Sequence, residues 1–197
     1  MRNLLALLAA LLSSPAAAER FTNPVLGLSI ENPHDWHVVT AAENSENLSK
    51  AEFADPELQA AVRKYASVPL YAFSRYPEPY PDLNASVKVN TRPAGQFEGQ
   101  SGENVLQAIL PAISQAMPDA KIVAPPETTT LAGRAAGHAV MTYTLRSEGK
   151  AYPAVSELWI IPRGDYLVMV GAGYRPDETT GDRLAVHQIV GSLQLKD

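Results

Sequence analysis

The sequence predicts an α+β domain, a mostly antiparallel sheet with helices on both faces, on two observations. The apolar period switches between two and about 3.6 residues along the chain. The C-terminal half is a succession of strand-like runs at hairpin spacing, with Gly133, Gly149 and Gly164 in the turns. Glu19 to Thr22 and Leu26 to Asn32 read as short strands around the Asn23-Pro24 turn, Pro33 stops the second, and Trp36 to Thr40 reads as a third. Asp55-Pro56 is an N-cap followed by proline at the first helical position, so a helix is expected from Pro56 to about Ala66.

Leu70 to Tyr76 and Ser86 to Arg92 follow as strands, the latter alternating strictly with Val87, Val89 and Thr91 on one side. A second helix is expected over Gly102 to Met117, where Val105, Leu106, Ile109, Leu110, Ile113 and Met117 share one face and Pro111 falls on the solvent side. Glu127 to Leu131, Arg134 to Arg146, Tyr152 to Ile161 and Tyr166 to Tyr174 are the later strands. Tyr166 to Val170 is apolar throughout, as befits a strand covered on both faces. A last helix, Asp177 to Val190, turns Ala185, Val186, Ile189 and Val190 to the sheet.

Composition bounds the functions open to such a domain. The chain has 197 residues, 46% of them hydrophobic, with 16 Lys+Arg against 21 Asp+Glu. That is enough apolar residue for one packed core. The formal charge of −5 supplies no basic excess for a phosphate backbone, so no nucleic-acid partner is expected. With Cys 0 there is no thiolate metal site, thiol nucleophile or redox pair.

Arg2, the Leu/Ala run Leu4 to Leu12 and the small-x-small ending Ala16-Ala17-Ala18 have the layout of a secretory signal peptide over residues 1–18. A transmembrane helix needs about 20 apolar residues, and Ser13, Ser14 and Pro15 interrupt this run well before that. The expectation is therefore Sec-type export to the periplasm or beyond, a single mature domain over 19–197, and no integral membrane segment after cleavage.

Chemical motifs each meet a plainer explanation. His34 and His37 flank Asp35 and Trp36, but at a turn leading into a strand residues three apart point to opposite faces, so no metal site is assigned. If the hairpin around Ser147 to Lys150 pairs Arg146 with Ala151, then His138 opposes Trp159 and Val140 opposes Glu157. His138 and Glu157 then become diagonal neighbours on one face. A histidine beside a carboxylate is the geometry of a general base and its orienter, and equally of a satisfied polar contact under a helix. We assign no catalytic residue and read the pair as structure, keeping a hydrolase or metal-dependent enzyme as the rival.

Other motifs fail on context. Gly99-Gln100-Ser101-Gly102 lacks the closing glycine of a nucleophile elbow, and Ser147-Glu148-Gly149-Lys150 sits at a turn rather than a helix start. Gly171-Ala172-Gly173 runs into Tyr174, Arg175 and Pro176 instead of a helix, so no nucleotide cofactor is expected. Arg163-Gly164-Asp165 is explained by turn chemistry, and His187, off the apolar arc of the last helix, reads as solvated.

Phe21-Thr22-Asn23-Pro24, Gly27-Leu28-Ser29-Ile30, Asn32-Pro33 and Trp36 together resemble the opening of the PsbP-like family, which includes DcrB-type envelope proteins. Ala132-Gly133, Gly137 and the ending Ile189-Val190-Gly191-Ser192-Leu193 are similar as well. The resemblance implies an α/β/α sandwich, no catalytic residues, and an accessory, scaffold or inhibitor-like role of binding or assembly. Ala41 to Ala66 is longer than the resemblance leads one to expect, and marks an insertion.

The surface feature that stands out is Tyr76-Pro77-Glu78-Pro79-Tyr80-Pro81. Prolines lower the entropy of a loop and tyrosines offer rigid amphipathic area, so Tyr76, Pro77, Pro79, Tyr80 and Pro81 form a candidate partner-contact loop. The same residues suit a stiff crossover whose tyrosines lie over the core edge, and the sequence leaves both readings open. The partner expected is an envelope protein or a small ligand. An immunity-type role is one subtype.

Overall fold

A computed structural model of the chain describes residues 18–52, 69–117, 119–177 and 181–196. The signal peptide expected over residues 1–18, apart from Ala18, and the helix expected over Pro56 to Ala66 lie outside these residues. The elements in order are β1 (Glu19–Asn23), β2 (Leu28–Asn32), β3 (His37–Val38), α1 (Ala41–Lys50), β4 (Ala51–Glu52), β5 (Tyr71–Ser74) and β6 (Ser86–Pro93). A 3-10 turn (Gly95–Phe97) leads to α2 (Gly102–Ala116), β7 (Lys121–Leu131), β8 (Arg134–Ser147), β9 (Lys150–Arg163), β10 (Tyr166–Tyr174), α3 (Asp182–Gly191) and β11 (Gln194–Leu195).

The main sheet has the strand order β3-β5-β6-β10-β9-β8-β4, with β7 also paired to β8, and a smaller sheet runs β1-β2-β11. Among the described residues every strand pairing is antiparallel. The hairpins close as expected: Gly133, Gly149 and Gly164 have φ of +73°, +72° and +63°, a region glycine enters without steric cost. Alternation splits each long strand between two cores. Val87, Val89, Trp159, Ile161, Val168 and Val170 face α3 and the small sheet, whereas Ala139, Met141, Ile160 and Leu167 face Val105, Leu106 and Leu110 of α2. The result is an α+β sandwich in which α3 shares its layer with the small sheet.

Helix α2 crosses the main sheet at a contact only glycines permit. A Cβ on Gly102 would lie 2.1 Å from the Ile160 carbonyl oxygen and 2.4 Å from the Gly137 nitrogen, and a Cβ on Gly137 would lie 2.2 Å from the Gly102 carbonyl carbon. Ser101 caps the helix by accepting from Asn104 N, and Pro111 is on the exposed side.

Several boundaries differ from expectation, most of all β7, which starts at Lys121 rather than Glu127 and passes Pro125-Pro126 through register shifts against β8. The third strand is His37–Val38 rather than Trp36 to Thr40, because Trp36 is buried in the preceding turn and Thr40 is the N-cap of α1. Thr40 Oγ1 accepts from Glu43 N, and Glu43 accepts from Thr40 N at 2.7 Å, a reciprocal capping box. Helix α1 itself occupies the start of the expected insertion. The last helix begins at Asp182 instead of Asp177, behind Gly181 in the left-handed region.

Candidate functional site

The β8–β9 hairpin sets the site. Glu148 and Gly149 turn it with positive φ, and the register pairs Arg146 with Ala151, Val140 with Glu157 and His138 with Trp159, as the sequence anticipates. His138, Val140, Glu157 and Trp159 thus share the face beneath α3. Strand β10 pairs with β9 so that Ala172 opposes Glu157 and Tyr174 opposes Val155, placing Tyr174 on that face as Glu157's diagonal neighbour.

Glu157 is buried, 2% exposed, and both of its carboxylate oxygens are occupied. His138 Nε2 donates to Oε2 at 2.9 Å, His187 Nε2 from α3 donates to Oε1 at 2.8 Å, and the Tyr174 hydroxyl donates to Oε1 as well. Desolvation pushes the carboxyl up, but the three donors outweigh it and hold the group at about 2. The Trp159 ring stacks on His138 at 4.7 Å and meets His187 edge-on at 6.2 Å, which fixes both imidazoles. Glu127 of β7 is paired with His138 in the sheet, and its Oε1 lies 3.9 Å from His138 Nδ1.

His138 and Glu157 therefore meet, and His187, expected in solvent, stays 43% exposed yet reaches Glu157 and completes the cluster. Its ring reaches Glu157 because it follows buried Val186 at the edge of the helix's inward arc. Tyr174 was accessible to parity reasoning, since it shares a face with Val170 and Ala172. Chemically the arrangement is a clamp: each imidazole gives its Nε2–H to the carboxylate, and the Tyr174 phenol points its proton inward. Among the described residues no group of three or more His, Cys, Asp or Glu side chains is arranged to hold a metal ion.

His34 and His37 are placed apart in role. His34 is an exposed turn residue, while His37 Nε2 is 2.9 Å from Glu43 Oε1 and ties β3 to the first turn of α1. Glu43 sits at about 2, lowered first by the Thr40 backbone and hydroxyl and then by His37.

The Tyr76–Pro81 loop is exposed and internally braced. Tyr76 and Tyr80 stack at 4.6 Å, 20° from parallel, the Arg75 guanidinium lies 5.8 Å from the Tyr76 ring centre, and Arg75 pairs with Asp35. Asn84 accepts from Tyr76 N at 3.1 Å and donates to Tyr76 O at 2.8 Å and Glu78 Oε1 at 3.0 Å. Beyond the loop, Arg175 grips Asp82 with two bonds of 2.6 and 2.7 Å. Tyr76 is 40% exposed, and neither tyrosine belongs to the two core clusters.

The fold defined by these elements is the PsbP-like α+β sandwich. The chain is similar over almost its whole length to LpqN, involved in cell envelope biogenesis of Mycobacterium tuberculosis (12% identity, 94% of this chain and 88% of that one, TM-score 0.51). It is similar likewise to cyanobacterial PsbP from Synechocystis sp. (12% identity, 95% and 98%, TM-score 0.50) and to the Ran-binding protein Mog1p of Saccharomyces cerevisiae (8% identity, 92% and 96%, TM-score 0.51). No protein-family model matches the sequence, and no curated protein matches it by sequence.

Proposed function

We propose that this protein is a non-catalytic binding or accessory module that works outside the cytoplasm after removal of Met1 to Ala18, with the Tyr76–Pro81 loop as its contact with a protein partner. The observation that carries the reading is the saturation of Glu157: the carboxylate that a hydrolase or metal enzyme would use is spent on His138, His187 and Tyr174. Neither the cavity over Gly171 nor the one beside Ser101 is lined by His138, Glu157 or His187. Among the described residues no helix is long and apolar enough to cross a membrane.

The loop suits docking because its aromatic area is ordered before binding, which lowers the entropy cost of association. That proteins of this fold include a Ran-binding protein and one involved in cell envelope biogenesis supports the same reading.

The test is affinity purification from envelope extracts of the native host with the mature chain and with a Tyr76→Ser/Tyr80→Ser variant of matched thermal stability. A stoichiometric protein retained by the first and lost by the second is the expected result. Equal retention by both overturns the loop assignment, and substrate turnover abolished by Glu157→Gln in a folded variant overturns the non-catalytic reading.

A further inference from the structure

On the α2 face of the main sheet a cavity of about 310 Å³ opens over β6, β10 and β9. Its floor is low because β10 places Gly171 and Gly173 there: a Cβ on Gly171 would meet only Leu158 Cδ2, at 3.7 Å. The walls are unlike one another. Under α2 they are apolar, with Ile109, Ile113, Leu158 and Ile160, whereas β6 contributes Lys88, directly paired with Gly171, flanked along the strand by Ser86 and Asn90.

Lys88 is a partly buried cation with an unusual partner. Its ammonium donates to Oδ1 of buried Asn44 on α1 at 2.8 Å, and that is a neutral partner. Desolvation lowers its proton affinity. Buried charges are ordinarily paired, because an unpaired one keeps most of its desolvation cost. On the other face of the same sheet Glu157 has three donors, so the sheet is capable of satisfying a buried charge, and on the Lys88 face the described residues bring no carboxylate to it.

We propose that this cavity binds a small amphiphile with one anionic head, a carboxylate or its equivalent, and an apolar tail. The head pairs with Lys88 beside Ser86 and Asn90, and the tail crosses Gly171 to lie beneath Ile109 and Ile113. The volume is at the lower end of small-molecule sites, which sets the ligand to a short chain or a single ring system. The site does not depend on the Tyr76–Pro81 loop, and each can fail without the other.

Octanoate and 1-octanol, which share a tail and differ in head charge, are the probes, titrated calorimetrically into the full mature chain. Octanoate is expected to bind saturably at one per chain and more tightly than octanol. Lys88→Met should weaken octanoate at least tenfold and octanol less than twofold, Lys88→Arg should retain octanoate, and Gly171→Leu should remove both. Should Lys88→Met not fold, the labelled Lys88 side-chain resonances of the wild-type chain are expected to shift on adding octanoate and to stay in place with octanol. No saturable octanoate binding, an affinity unchanged in Lys88→Met, or Lys88 resonances indifferent to octanoate would overturn the proposal.

Discussion

Two charges are placed on opposite faces of one sheet and are treated in opposite ways. Glu157, on the face under α3, is held by two imidazoles and a phenol and stays ionised down to about 2. Lys88, on the face under α2, has a buried amide for a partner and borders open volume. What separates them is the residue opposite each on β10. Ala172 beside Glu157 fills its place and is followed by Tyr174, which reaches back to the carboxylate; Gly171 beside Lys88 leaves the place empty. Glu157 is held by charge-assisted bonds on both oxygens, whereas Lys88, next to a cavity, has only a neutral partner among the described residues.

Breaking the clamp should have the largest effect. Glu157→Leu leaves His138 and Tyr174 without their buried acceptor and releases the half-exposed His187, and should cost about 3 kcal/mol in urea unfolding, the lower end of the scale for removing one partner of a buried charge pair. Protonating Glu157 removes the same support by another route. Its folded pKa lies below the ordinary value of 4.5, so the stabilisation is present in full above that value and is lost as pH falls toward about 2. Unfolding free energy should therefore fall by about 3 kcal/mol across that window, and the decline should be absent from Glu157→Gln.

On the other face the support is steric. Gly137→Ala drives a methyl into the backbone of α2 and should cost about 1–3 kcal/mol or more by overpacking, measured by thermal unfolding. Lys88→Met removes a cation to which the described residues bring no carboxylate, but it also leaves buried Asn44 Oδ1 without its donor, and should cost about 1–2 kcal/mol. A loss as large as that of Glu157→Leu would erase the contrast between the faces.

The legible parts of this fold are those where a turn fixes register. Gly149 sets the β8–β9 pairing that brings His138 to Glu157, and the apolar run Tyr166 to Val170 marks β10, whose bounds are as read. Helix α1 was not legible because Ala41–Lys50 has no apolar stripe. It is held by polar contacts, the Thr40/Glu43 capping box, His37 to Glu43 and Lys88 to Asn44, and only the box leaves a trace in sequence. The strands β1 and β2 are legible as a pair around Asn23-Pro24, but that they form a separate sheet with β11 is not, because β11 is two residues long and is defined by pairing with β2. His187 needed the rotation of α3 on the sheet, a tertiary quantity. The cavity was hidden for a related reason: Gly171 and Gly173 announce an empty place only once it is known what crosses above them.

The polar cluster around Glu157 clamps α3 to the main sheet. A double-mutant cycle between Glu157→Gln and His187→Gln, read by urea unfolding near neutral pH, measures this directly. A coupling energy above about 1 kcal/mol is the predicted result, since the two side chains support α3 through each other. Additive losses, with no coupling between the two positions, would contradict it.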